Sequence, residues 1–390
     1  MKIKFRTKLL IIIFLTIFLA AAGFGDRAVA DNLSSLENFQ DILYLIENYY
    51  VEEKDMDELM DGAIKGMIEE LDSYSSYMSP EEYEEMQVEF EGTFGGIGIV
   101  ITTRKDKLTI VSPIKGTPGD RADLEAGDVI TAINGESTDD MSQKKAVDMM
   151  RGEPGTRVTL TIDREQTMEP FDLEIVRDDI EIPYVEHEMK TEEIGYISVA
   201  QFAEDVGKKV GNSLEELKEE GARGVILDLR SNPGGMLEEA INVTSNFIKG
   251  QQTVVSIKQR NDANKTMKTN PDIEKVDLQL IVMINKGSAS ASEIVAGAIR
   301  DYNRGKLVGT PSFGKGTVQT VIPLNDGSAL RLTTARYYTP EGTFIHEQGI
   351  EPDIEVEYDP EAETDTQLEK ALELMESFLY VEEFIKNRAS

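Results

Sequence analysis

The 390-residue chain has no cysteine, no tryptophan and only two histidines, His187 and His346. Without cysteine there is no disulfide, no thiol nucleophile, no zinc ribbon and no iron–sulfur cluster. Two histidines so far apart in sequence suggest no His-rich metal site and argue against a His-based catalytic triad. Positive charge is also scarce, with 40 Lys and Arg against 73 Asp and Glu and a formal net charge of −33. Nucleic-acid binding needs clustered Lys and Arg to meet phosphates, so it is excluded as a role. The hydrophobic share of 40% is still enough for real cores, and the length allows two or three domains. The acidity reads as a solvated surface rather than a binding feature.

What is present begins at the N-terminus. Lys2, Lys4, Arg6 and Lys8 precede an apolar run from Leu9 to about Phe24, and Ala28-Val29-Ala30 stands before Asp31. A basic start, an apolar middle and a small-residue exit make the layout of a signal peptide. The run is short for a membrane span, which takes about 20 residues; an uncleaved anchor is the alternative. Either way the bulk of the chain is expected outside the cytoplasm, touching the membrane only through residues 1–30. That segment carries five basic residues and one acidic, so its removal takes the charge from −33 to −37. Residues 31–91 read as a helical arm for packing or dimerisation. Leu36, Phe39, Leu43, Ile46 and Tyr50 recur at helical spacing behind Ser34-x-x-Glu37, and Met56, Met60, Ile64, Met67 and Leu71 form a second stripe. Ser79-Pro80-Glu81-Glu82 opens a third helix.

Over 92–178 the pattern changes to short β-type runs, Gly98–Thr102, Leu108–Val111, Asp128–Ile133 and Arg157–Ile162, with one helix from Ser142 to Met150. The glycines of Phe94-Gly95-Gly96-Ile97-Gly98-Ile99 let a turn expose consecutive N–H groups to an anion such as a terminal carboxylate. Alone, that motif also fits a tight turn into a strand. Together with Gly116-Thr117-Pro118-Gly119-Asp120-Arg121-Ala122, Leu124-x-Ala126-Gly127-Asp128-Val129-Ile130, Ile133-Asn134-Gly135 and Arg151-Gly152-x-x-Gly155-Thr156, the segment resembles a PDZ domain. PDZ domains bind extended C-terminal tails by strand addition. The resemblance implies that Gly95, Gly96, Ile97, Gly98 and Ile99 lie beside a bound peptide. Arg151 is a further contact on this reading, or a helix C-cap neighbour ahead of Gly152.

Over 179–358 strands and helices alternate, which implies an α/β domain with a partly parallel sheet. Ligands in such sheets lie beyond the C-terminal strand ends, where Arg230-Ser231-Asn232-Pro233-Gly234-Gly235 and Asn285-Lys286-Gly287-Ser288 stand. Gly309-x-x-x-x-Gly314-Lys315 looks like a phosphate loop. It lacks the Ser or Thr that must follow the lysine, and a strand rather than a helix is expected after it. A nucleophilic reading fits better. Ser288, Ser290 and Ser292 open a helix whose N-terminal dipole favours an alkoxide and an oxyanion. With histidine scarce, the base would be a lysine neutralised by burial, and Lys315 sits between two glycines. Against this, Ser290-x-x-Glu293 is itself a capping box and Lys315 fits a solvated loop.

The stretches Gly224–Gly235, Lys286–Ile294, Ser312–Gln319 and Thr334–Pro340, in that order and behind a PDZ-like segment, resemble the carboxyl-terminal processing (tail-specific) peptidases from about residue 33 to 375. The resemblance implies a crotonase/ClpP-like α/β peptidase core with an inserted β-rich PDZ domain and an N-terminal helical arm. It implies Ser290 as nucleophile, Lys315 as base and Gln319 as the residue that orients the lysine. It places the oxyanion hole on backbone N–H groups of Ala291 and of Gly234 or Gly235. Asp301 matches an acidic position sometimes assigned to the relay; three turns beyond Ser290, it reads as structural. Protein or peptide substrates with free C-terminal tails are implied, with no cofactor and no metal. Residues 359–390 form a C-terminal helical segment without room for a cell-wall module. The arm suggests a homodimer. The rival reading is an adaptor on a peptidase-like scaffold that binds tails and cuts nothing.

Overall fold

A computed structural model describes residues 34–389 apart from 166 and 261–262. The expected signal segment, residues 1–30, lies outside the described residues. The chain divides into two compact units, Met1–Tyr77 and Met78–Ser390.

In the first unit, helix α1 covers 34–49 and α2 covers Met56–Glu69. Asp55 caps α2 by accepting the Asp57 N–H at 2.8 Å. Asp72 then turns the chain, its carboxylate accepting the N–H groups of Tyr74 and Ser75. The stripe expected on α2 is found on it except for Leu71, which lies past the helix end. Helix α1 leaves Leu36, Ile42, Tyr44, Leu45 and Tyr49 exposed. A short strand, β1 (Ser76–Met78), follows.

The second unit opens with α3 (Pro80–Glu91). Ser79 and Glu82 exchange the reciprocal bonds of a capping box, and Gly92 closes the helix at φ 68°. β2 (Thr93–Gly96) leads into a sheet of β3 (Ile99–Arg104), β4 (Lys107–Pro113), β5 (Val129–Ile133), β6 (Glu136–Ser137), β7 (Arg157–Asp163) and β8 (Phe171–Val176). Its spatial order is β3-β4-β5-β7-β8, with β6 on β5, so β3 is an edge strand. A single turn, α4 (Pro118–Arg121), and helix α5 (Gln143–Met150) complete this layer. Alternation is plain on β7, where Val158, Leu160 and Ile162 are buried among Ile97, Ile110, Ile130 and Ile133. β9 (Asp178–Glu181) returns to pair with β2.

Next come β10 (Val185–Met189), β11 (Ile194–Val199), α6 (Val206–Glu219), β12 (Gly224–Asp228), α7 (Leu237–Ser245), β13 (Thr253–Gln259) and β14 (Lys265–Lys268). The chain continues through β15 (Gln279–Ile284), α8 (Ala291–Asp301), β16 (Lys306–Gly309), β17 (Thr317–Pro323), β18 (Ala329–Tyr338), β19 (Ile354–Glu355) and α9 (Thr366–Ala389). The central sheet runs β10-β11-β12-β15-β16-β19 and is parallel from β11 onward. Parallel sheets need cover on both faces, and the residues alternate to match. Val225, Leu227, Val282 and Ile284 pack under α6, α7 and α8, while Ile226, Ile281 and Met283 pack under Ala371, Met375 and Leu379 of α9. A smaller antiparallel sheet joins β17 to β18, β18 to β13 and β13 to β14.

The α/β class and the strand–helix alternation are as the sequence predicts. Strands β10 and β14 carry little apolar alternation for the sequence to show, because they are mostly solvent-facing and carry Glu, His and Lys. Helix α9, Thr366–Ala389, lies within the C-terminal segment 359–390 expected to be helical. Lys315 precedes a strand, so the phosphate-loop pattern has no helix behind it, as argued.

Candidate active site

The site is built at the carboxyl ends of β12 and β15. Hydrogen bonds lock the two loops that leave those strands together. Asn232 is fully buried. Its amide donates to the Val199 carbonyl at 2.7 Å, and its own carbonyl accepts the Ser292 hydroxyl at 2.9 Å and the Ala289 N–H at 3.0 Å. Ser288 donates its hydroxyl to the Leu229 carbonyl at 2.8 Å. A Cβ on Gly234 would stand 2.8 Å from the Ser290 Cβ, so only glycine allows this approach.

Ser290 is the N-cap of α8 and holds φ 55°, ψ −110°, a strained conformation for a residue with a side chain. The strain is held from both sides of the residue. The Ser290 N–H donates to Glu293 Oε2 at 2.9 Å, and its carbonyl accepts the Ile294 N–H at 3.0 Å and the Tyr337 hydroxyl at 3.1 Å.

Glu293 does more than close its own helix. Its side chain is buried, and it also accepts the Ser312 hydroxyl at 2.6 Å, the Gly314 N–H at 2.7 Å and the Lys315 N–H at 2.9 Å. Ser290 and Lys315 therefore give their backbone N–H groups to the same carboxylate. Their carbonyls converge as well, since the Tyr337 hydroxyl bonds the Lys315 carbonyl along with that of Ser290. Residues 25 apart in sequence are thus fastened at two points.

Ser290, Ala291, Gly234, Gly235, Lys315 and Gln319 all line one cleft of about 540 Å³. Burial pushes the Lys315 ammonium below its ordinary pKa, the nearby Arg331 charge pushes it the same way, and Glu293 opposes them.

Against known families, the chain matches the profile of Peptidase family S41 over residues 193–356 and that of a PDZ domain over 109–164. Residues 22–82 match the activating protease CtpB N-terminal domain. The carboxy-terminal-processing protease of Bartonella bacilliformis is 43% identical over 327 residues, spanning 83% of this chain and 75% of that protein. The chain belongs to the carboxy-terminal processing serine peptidases. The carboxy-terminal processing protease CtpA of Bacillus subtilis is 36% identical over 346 residues, or 88% of this chain and 74% of that one. In fold, an S41 protease structure from Bacteroides fragilis has a TM-score of 0.51 over 85% of this chain and 92% of its own, at 19% identity.

Within this peptidase several expected residues take unexpected positions. The Gly234 N–H donates to Asn232 Oδ1 at 2.9 Å. Gly235 bridges Phe202, but through its neighbours: the Gly234 carbonyl accepts from Phe202 and the Met236 N–H donates to it. In such a bridge the middle residue's own N–H faces the other way. Gln319 reaches the cleft, though not by sharing a strand face with Lys315. The strand starts at Thr317 and its pairing slips between Val318 and Gln319. The Gln319 amide donates to the hydroxyls of Thr317 and Thr333. Asp301 is not among the residues that line the cleft; its carboxylate accepts the Glu341 N–H at 2.9 Å and meets Arg300.

At the PDZ segment, Gly95 and Gly96 belong to β2 and pair with Asp179 and Asp178, so the turn narrows to Ile97-Gly98. Ile97 is buried, Gly98 holds φ 69°, and Ile99 starts the edge strand β3. Arg151 is the C-cap residue of α5, its guanidinium 4.8 Å from the Phe94 ring centre.

Tyr337 lies in the Thr334–Pro340 stretch, but nothing there signals its bonds to Ser290 and Lys315, and Glu293 is disguised. Ser-x-x-Glu ahead of an apolar run reads as a local cap, and half of that cap is present. The further bonds come from a loop about 20 residues downstream. Glu293→Gln replaces an acceptor of four bonds by an amide that presents N–H to N–H. The expected result is a stability loss of roughly 2–4 kcal/mol, seen as a lower thermal midpoint, and at least a tenfold fall in peptidase activity.

Proposed function

We propose that Ser290 and Lys315 form the catalytic dyad of this peptidase. The observation that carries the reading is their shared fastening to Glu293 and Tyr337 in one cleft, with the lysine partly stripped of water. Neutral Lys315 accepts the Ser290 hydroxyl proton as Oγ attacks the scissile carbonyl carbon. The tetrahedral oxyanion is held by the N–H groups of Ala291, at the positive end of α8, and of Gly235. Gly234 serves by close approach rather than by donation. The lysine ammonium then protonates the departing amine, leaving an acyl-serine. The same lysine deprotonates the water that releases it. Gln319 positions the cleft wall through Thr317 and Thr333, and Asp301 anchors the 339–343 turn.

Substrate capture is assigned to residues 92–178. Support comes from the edge strand β3, whose partner on one side is β4, and from the left-handed turn at Gly98 that precedes it. An extended tail added along β3 places its carboxylate at Ile97-Gly98 and, through Arg151, near the end of α5. The core spans 179–358 and the closing helix 359–390. The arm, 31–91, is assigned to self-association as a homodimer, on the apolar residues that α1 leaves in solvent. The N-terminal 30 residues are assigned to export, as a cleaved signal or an anchor, which places the peptidase outside the cytoplasm. Among the described residues no helix is long and apolar enough to cross a membrane.

Ser290→Ala and Lys315→Ala are each expected to abolish cleavage of an unstructured protein such as casein while keeping the thermal midpoint. Because the lysine acts when neutral, activity should rise with pH through an apparent pKa below the ordinary ~10.4 of lysine. Normal turnover by Lys315→Ala would end the dyad reading. For tail capture, a peptide with a free C-terminal carboxylate should bind more tightly than its C-terminal amide, and deletion of 92–178 should erase the difference; equal affinities contradict the assignment. Protein recovered from its producing cells is expected to begin at Asp31, or to stay with membranes, and to sediment as a dimer. An intact soluble monomer would refute both assignments.

A further inference from the structure

The chain has almost two acidic residues for each basic one, and several arginines in the second unit show it. Arg121, Arg157, Arg164, Arg223, Arg230 and Arg300 each meet a carboxylate. Arg331 is not one of them, and it stands in the cleft. It lies on β18 opposite Val321, two places from the Gln319–Thr333 pair, and lines the cleft that holds Ser290 and Lys315. Among the described residues no carboxylate lies within ion-pair distance of it. Its Nε is buried without an acceptor, and its Nη2 meets only the soft sulfur of Met78 at 3.5 Å.

An unsatisfied buried donor and a second cation beside a lysine both cost stability. A cation held at that cost in the same cleft as Ser290 and Lys315 asks for a purpose. We propose that Arg331 is a positioning residue of the catalytic centre, whose fixed positive charge holds Lys315 in its neutral, proton-accepting form. This rests on the Ser290–Lys315 reading and names what sustains it.

The other charged groups around the lysine pull the opposite way or are already engaged. Glu293, from α8, spends its oxygens on four donors and favours the ammonium. Glu82, Glu85 and Glu89 reach the cleft rim from α3 and are exposed; Glu82 accepts the Ser79 N–H and Glu85 pairs with Lys144. Tyr337, from β18, is bound to the Ser290 and Lys315 carbonyls. His346 and Glu347 lie on the turn packed behind Gly314 and Gly316. Arg331 is thus the group in the cleft whose charge works with burial rather than against it. An arginine suits the task because it stays protonated where a lysine neighbour does not.

The test measures kcat and KM on casein-derived peptides from pH 6 to 11 for the full-length protein, Arg331→Gln, Arg331→Lys and Lys315→Ala. Removing the charge should move the rising limb of the kcat profile upward by about one pH unit, a tenfold loss at neutral pH that alkaline buffer restores. Arg331→Lys, which keeps a cation that can itself titrate, should shift the limb less than Arg331→Gln does. The pH dependence of Ser290 labelling by a fluorophosphonate gives the same readout without a substrate. A uniform loss with an unmoved profile would make Arg331 structural, and a rise in KM alone would make it a substrate contact; either overturns the inference. Should Arg331→Gln fold poorly, Arg331→Met gives the same reading. Activity in Lys315→Ala would strike down the dyad itself. An inactive Lys315→Ala beside an unmoved Arg331→Gln limb would strike down this inference alone.

Discussion

One buried carboxylate holds the centre of this peptidase together. Glu293 has no cation against it among the described ion pairs, so its charge is stabilised by four hydrogen-bond donors instead. Charge-assisted bonds of this kind are roughly twice as strong as neutral ones. Leaving any donor unmet in the interior would be expensive, so the arrangement is close to all-or-none. Two of the donors are the backbone N–H groups of Ser290 and Lys315. Their spacing is therefore set by main-chain geometry rather than by two flexible side chains. That is how a strained serine and a loop lysine become a defined pair.

Around this point the fold supplies what the proposed lysine base requires. Burial removes water from the ammonium, the N-terminus of α8 favours negative charge at Ser290, and Gly234 allows its loop to close on Ser290. The surrounding acidity would by itself favour a protonated lysine. The cleft answers with burial and with Arg331, while the exposed glutamates of α3 remain at its rim, where water screens them.

Much of this was legible in the sequence, for identifiable reasons. The buried parallel strands announce themselves as apolar runs, and the third helix announces its start through Ser79 and Pro80. The loops at the strand ends, where such a sheet places ligands, stand out by their glycines and serines; the roles within them come from the family resemblance. The sequence was silent where function depends on pairs distant along the chain. Nothing near Glu293 foretells Gly314 and Lys315, nothing near Tyr337 foretells Ser290, and the engagement of the Gly234 N–H depends on where the Asn232 side chain turns. Strands β10 and β14 escaped for another reason. A solvent-facing strand rich in Lys, His and Glu carries no apolar period to read.

The covering of the second sheet face has a consequence for how the molecule is made. Among the described residues that face is closed by α9, and Arg230, which leads into the loop carrying Gly234, is gripped by Asp365 and Gln367 at its start. Those partners lie 135 and 137 residues downstream. A chain emerging from its N-terminus presents Ser290 and Lys315 well before it presents the residues that fasten Arg230. Arg230 is therefore fully held only once residues 365–367 have emerged, some 50 residues after Lys315.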